Sequence, residues 1–176
     1  MKACCLTMAV LFLGFTPVLY ASDPAIDGLP NKTLTPGAVN LAITPQNLRS
    51  TVCVPGYIKT VRPPRQYTDQ LKRKQIALYH YTNTNASQYE EDHLIPLSVG
   101  GNPRDQKNLW PEPRFGEWSA ARKDELEFVM YQKLCAGKIN LKAAQDAFRD
   151  DWVAAYKKYV TSNVTSKKQS NFRRFN

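Results

Sequence analysis

Histidine is nearly absent from this chain. His80 and His93 are the only two in 176 residues. Cysteine is scarce as well, and two of the four, Cys4 and Cys5, sit in the first five positions. Two remaining cysteines and two scattered histidines do not supply a zinc ligand set at usual spacings. No apolar run long enough to span a bilayer occurs after residue 21. No internal repeat is visible, which excludes a solenoid or propeller. No helix-turn-helix or zinc-finger pattern is appended, so nothing marks a sequence-reading module. Acidic residues are outnumbered by 15 to 24, leaving a formal charge of +9 and a pI near 9.4. Such a field favours polyanions: nucleic acid, anionic lipid or acidic glycans.

What is present begins with MKACCLTMAVLFLGFTPVLYASDPA. Lys2, the apolar run Cys4 to Phe15 and the Leu19-Tyr20-Ala21 cleavage site before Ser22 read as a signal peptide over residues 1–21, with an uncleaved anchor as the alternative. Neither Cys4 nor Cys5 follows a long apolar run, so there is no lipobox. The expected location is therefore outside the cytoplasm, in a periplasm or the medium. Cys53 and Cys135 are left, 82 positions apart, and in an exported chain they are most simply one disulfide; two buried free thiols are the alternative.

The remaining chain has a length suited to one domain and, at 43% apolar, enough hydrophobic residues for a core. Residues 22–50 carry Pro24, Pro30, Pro36 and Pro45 and read as an irregular N-terminal arm. Thr51 to Val61 is β-branched but broken by Pro55-Gly56, giving short strands or a turn. A helix is expected from about Thr68, as N-cap, to Tyr79. A second spans Glu117 to Ala136, with Leu126, Val129, Met130 and Leu134 as its apolar stripe and Gly137 as its stop. Asn140 caps a third, with Leu141, Ala144, Phe148, Trp152, Ala155 and Tyr159 on the buried side. The body of the domain is 51–160, and 161–176 is a basic polar tail.

Chemistry concentrates in EEDHLIPLSVGGNPRDQKNLWPEP, Glu90 to Pro113. The order is short strand, glycine loop, short strand, helix. Gly100-Gly101 permits the turn and Asn102-Pro103 continues it. Pro111 and Pro113 are expected to end the second strand. An imidazole near its ordinary pKa is a suitable base for activating water at neutral pH. A hard divalent ion takes carboxylate and carbonyl oxygens and stabilises charge on phosphate. His93 supplies such a base, Asp92 an anionic ligand, and Asn108 either a ligand or a support for the ring. Asp92 and His93 are neighbours, so they meet in one site only if the strand ends or distorts there. Arg104, Lys107, Arg114, Arg122 and Lys123 flank the hairpin as candidate phosphate-binding residues. Lys123 and Glu127 are also spaced as a surface i,i+4 pair. Glu90 and Glu91 are expected to be solvated, His80 exposed and Trp110 core.

YEEDHLIPLSVGGNPRDQKNLWPEP resembles the His-Asn-His (HNH) nucleases, also called ββα-metal or His-Me finger nucleases, and more narrowly a group of exported bacterial HNH-like proteins. The likeness extends to TPGAV, TVCVPGY, TVRPP, KDELE and LCAG. It implies an α+β fold on a ββα-metal hairpin-helix core, with additional helices and an irregular N-terminal arm. It implies a metal-dependent endonuclease of little sequence specificity, acting on DNA with RNA as the other candidate. Asp92 matches the metal ligand, His93 the general base, and Asn108 the central asparagine, counted with both catalytic and metal-binding groups. The metal would be Mg²⁺, with Mn²⁺ as the substitute, and the products a 5′-phosphate and a 3′-hydroxyl. The helical third motif position, usually His or Asn, has no such residue here. Glu112, Ser119, Lys123, Asp124 and Glu127 are the candidates in its place. The alternative reading is an exported nucleic-acid or polyanion binder that keeps the scaffold without cleavage.

Overall fold

The computed structural model describes residues 29–161. The expected signal peptide, the first part of the arm and nearly all of the basic tail lie outside the described residues.

Helix formation follows the prolines. Pro63-Pro64 is followed at once by α2, Arg65–Leu78, with Pro64 at the N-cap. A proline is tolerated there because the first helical N–H groups have no intrahelical partner anyway. The helix therefore begins ahead of Thr68, whose hydroxyl bonds back to the Arg65 carbonyl at 3.0 Å instead of capping. Before it, the β-branched stretch forms turns and a short helix α1, Tyr57–Val61, and no strand, because Pro55 removes a ladder donor and Gly56 takes a left-handed φ of 86°.

Two strands, β1 (Tyr89–His93) and β2 (Leu109–Pro113), pair antiparallel, with Asp92 opposite Trp110 and His93 opposite Leu109. Pro111 lies inside β2 and does not end it, whereas Pro113 is its last residue. Leu94 donates to the Asn108 carbonyl at 2.8 Å and Arg114 to the Gln88 carbonyl at 2.9 Å. By alternation, Pro111 and Pro113 fall on non-hydrogen-bonded pairs, where a strand N–H points away from its partner and its loss removes nothing from the ladder. The outward carbonyls of β2 have side-chain donors: Gln75 (2.9 Å) and Thr35 (3.1 Å) on Leu109, and Tyr81 (3.1 Å) on Pro111.

Helices α3 (Ala120–Cys135) and α4 (Leu141–Tyr156) complete an α+β fold, with four helices and one two-stranded sheet among the described residues. Asn140 caps α4 through the Ala143 amide at 2.8 Å. Helix α4 kinks at Asp151, which has extended φ and ψ and whose carboxylate accepts from the Ala154 amide at 2.9 Å, capping the helix afresh. That break turns the last part of the stripe, so Tyr156 is buried and Tyr159 only partly so. Leu126, Met130, Leu134, Phe148 and Trp152 pack with Trp110, Tyr89 and Leu94 into one core. Cys53 and Cys135 form a disulfide with a Cα separation of 5.6 Å, tying the turn ahead of α1 to the end of α3. No described helix is long and apolar enough to cross a membrane.

Candidate active site

The two glycines of the hairpin loop have different reasons. Gly100 has a φ of 81°, which a side chain resists. Gly101 does not; a Cβ there would lie 1.7 Å from the Ile95 carbonyl oxygen. The loop crosses its own strand too closely for any other residue.

That crossing is fastened by Asn108, which is fully buried. Its Oδ1 accepts from the Ile95 amide (2.9 Å) and the Ala38 amide (3.3 Å). Its Nδ2 donates to the carbonyls of Ile95 and Asn102, each at 3.0 Å. All four valences of the amide are used on backbone. Asn108 thus serves neither as a metal ligand nor as a direct support for the imidazole. It fixes the loop whose next residue, Pro103, holds the histidine. The N-terminal arm joins the same network: Gly37 donates to Lys107, Asn40 to Gly100 and Asn102 to Ala38, each at 2.9 Å.

His93 Nε2 lies 3.0 Å from the Pro103 carbonyl. A carbonyl only accepts, so Nε2 carries the proton and the neutral ring keeps its lone pair on Nδ1. Burial lowers the His93 pKa; the Asp92 carboxylate and the Pro103 bond oppose this, and the Lys123 and Arg62 charges add to the lowering. The ring is a neutral base at neutral pH. It is also only 3% exposed.

β1 remains a regular strand through His93, so Asp92 and His93 point to opposite faces. The expected single site holding both is not what the strand gives. On the Asp92 face lie Glu90, Glu112 and, from the first turn of α3, Lys123. The Lys123 ammonium donates to Asp92 Oδ2 and lies 4.0 Å from Glu112 Oε2. Lys123 is 0% exposed, so it is neither the surface phosphate-binding residue nor the surface partner of Glu127 that its spacing suggests. The stretch around it signals an exposed helix face, and only the tertiary position of Asp92 overrides this.

The charges follow from this packing. Burial alone would raise Asp92, but the Lys123 ammonium, His93 and hydrogen bonding outweigh it and lower Asp92 to about 2. Burial pushes Glu112 well above the usual carboxylate range and the Asp92 charge adds to it, with Lys123 opposing. Burial would lower Lys123, but Asp92 and Glu112 hold it raised, so it stays charged. Glu127, bonded by Ser98 at 2.8 Å, and Asp124 are also raised by burial. Glu91 is not solvated as expected: both its carboxyl oxygens are buried without a hydrogen bond, and burial pushes it up to about 9, with Lys72 opposing and Asp92 adding.

The other basic candidates separate. Arg104 and Lys107 are exposed on the loop beside Pro103, and Arg104 stacks over Tyr67 at 5.7 Å. Arg114 pairs with Glu90 at 2.7 Å, and Arg122 donates to the Tyr156 hydroxyl at 2.7 Å, away from His93. Arg62, exposed just after α1, acts electrostatically on both His93 and Asp124. Sequence reasoning missed it, although TVRPP was part of the resemblance.

The residues do not fit the divalent ion expected from the resemblance. It would have to displace the Lys123 ammonium from Asp92, and Asn108 Oδ1 would have to release two backbone amides. Among the described residues no group of three or more His, Cys, Asp or Glu side chains is arranged to hold a metal. No family model, curated protein or solved structure matches the chain.

Proposed function

We propose that this chain is an exported nuclease of the HNH type, hydrolysing phosphodiester bonds of DNA or RNA with little sequence specificity. The observation that supports it best is the His93 imidazole, buried, neutral and oriented through Nε2 by the Pro103 carbonyl. In this reading Nδ1 takes a proton from water, the hydroxide attacks phosphorus, and the P–O3′ bond breaks. The departing 3′-oxygen takes a proton from solvent, leaving a 3′-hydroxyl and a 5′-phosphate, and the imidazolium returns its proton to solvent. General-base assistance of this kind contributes roughly 10²–10⁴-fold. Arg62, Arg104 and Lys107 lie around that face to hold phosphate oxygens, which fixes register without reading bases. Asn108 is a positioning residue, acting through the loop. Export rests on the N-terminal segment and agrees with the Cys53–Cys135 disulfide.

The second reading, a binder without cleavage, is favoured by the 3% exposure of His93. One experiment separates them. Purified oxidised protein and His93→Ala are incubated with supercoiled plasmid and with RNA in Mg²⁺ buffer, and each mixture is also run as a retardation gel. Nicking by wild type alone supports the nuclease. Retardation by both, with no cleavage by either, transfers the conclusion to the binder.

A further inference from the structure

Two carboxyl groups meet one ammonium in the seam between the hairpin and α3, and a third acts on it electrostatically. Asp92 accepts directly from Lys123, Glu112 lies 4.0 Å away, and Glu127 acts on the same lysine from one turn further along α3. The seam is closed to solvent, with both Lys123 and Glu112 at 0% exposure. Asp92 accepts from the ammonium and shares a hydrogen bond with Glu112, which lies 4.0 Å from the same ammonium. Two buried carboxyl groups that share a single cation are costly to desolvate. An ammonium has three donors and one charge, and it serves Asp92 first. A hard divalent ion accepts oxygens from several carboxyl groups at once.

We propose that Lys123 is the resident cation of this seam, that the wild-type protein takes no divalent ion there, and that neutralising Lys123 opens a Mg²⁺- or Mn²⁺-class site on Asp92 and Glu112. Lys123→Gln removes the charge, shortens the side chain and supplies an amide oxygen. Asp92 is then left without its counter-charge, and a divalent ion balances Asp92 and Glu112 together. For activity the inference rests on the nuclease reading: cleavage by wild type does not depend on a metal held at Asp92, and so resists a chelator. The binding claim stands apart from that reading.

The test is therefore binding of the metal alone. Wild type, Lys123→Gln and the double variant Asp92→Asn/Lys123→Gln are titrated with Mn²⁺, with free Mn²⁺ followed by electron paramagnetic resonance and Tm measured at each end of the titration. The expected result is no binding by wild type, roughly one equivalent bound by Lys123→Gln with a rise in Tm, and loss of both in the double variant. If Lys123→Gln is unfolded without metal, Mn²⁺-dependent folding supports the proposal, and failure of Mn²⁺ to restore the fold overturns it. Stoichiometric binding of Mn²⁺ by wild type also overturns it, as does a folded Lys123→Gln that leaves free Mn²⁺ unchanged. None of these readouts requires cleavage, so an inactive protein would sink the nuclease reading and leave this one standing.

Discussion

Glu91→Gln is expected to stabilise the protein, and to do so more as pH rises. Both Glu91 carboxyl oxygens are buried without a hydrogen bond, and burial holds the group protonated to about pH 9 against an ordinary value of 4.5. The sign follows from linkage. Above pH 4.5 the unfolded chain releases this proton and the folded chain keeps it, so folding is opposed increasingly until the folded group also ionises near 9. The slope is about 1.4 kcal/mol per pH unit, or about 3 kcal/mol accumulated by pH 7. That is a large share of a typical domain stability of roughly 5–15 kcal/mol. Glutamine has the same shape and never ionises, and its buried amide adds only an offset that does not vary with pH. Denaturant unfolding of both proteins, disulfide intact, at pH 5, 6, 7 and 8 gives a difference curve in which every other titrating group cancels. The variant should gain over wild type at each step upward. A difference that is flat across this range, or that falls as pH rises, would refute the reasoning about Glu91.

Other outcomes follow from the same geometry. Asn108→Ala removes four buried hydrogen bonds and should cost roughly 3 kcal/mol in denaturant unfolding, with cleavage reduced in whatever fraction still folds. Gly101→Ala places a Cβ on the Ile95 carbonyl and should cost more than about 4 kcal/mol or prevent folding; Gly137→Ala meets nothing within 4 Å and should cost only about 1 kcal/mol for its left-handed φ, a contrast readable from Tm alone. Replacing Cys53 and Cys135 together by serine should lower stability by roughly 4–5 kcal/mol, measured as a shift in the denaturant midpoint. Because burial lowers the His93 pKa, the acid limb of the cleavage rate should fall below 6.5, and an inflection above that value would contradict a buried neutral base.

Much of the scaffold was legible because it depends on local chemistry. The Asn140 cap, the Gly137 stop and the stripes of α3 and α4, apart from the half-buried Val129 and Tyr159, are written in residues a few positions apart. The hairpin was legible from its double glycine and the strand residues around it. What could not be read depends on which residues meet across the fold. Lys123 looks like any basic residue on a helix surface until the hairpin sets Asp92 and Glu112 against that helix. Glu91 looks solvated until α2 covers its face of β1. Asn108 stands out in the sequence as a ligand or ring support, and its role as a strap becomes visible only with the Ile95, Asn102 and Ala38 backbone around it. Pro113 does end β2, but Pro111 does not break it, because the phase of the ladder, which decides whether a proline is harmless, is set by pairing and not by the strand's own sequence.

That phase has a consequence for how the molecule behaves in company. A sheet of only two strands has two open sides, and an open side is a template on which a neighbouring chain can add its own strand. Along the outer side of β2, Pro111 and Pro113 offer no N–H, and the Leu109 and Pro111 carbonyls are already held by Gln75, Thr35 and Tyr81. An incoming strand finds no N–H at either proline and finds the Leu109 and Pro111 carbonyls already engaged. The same prolines that leave the hairpin's own ladder intact make this side of it a poor template for a neighbouring strand.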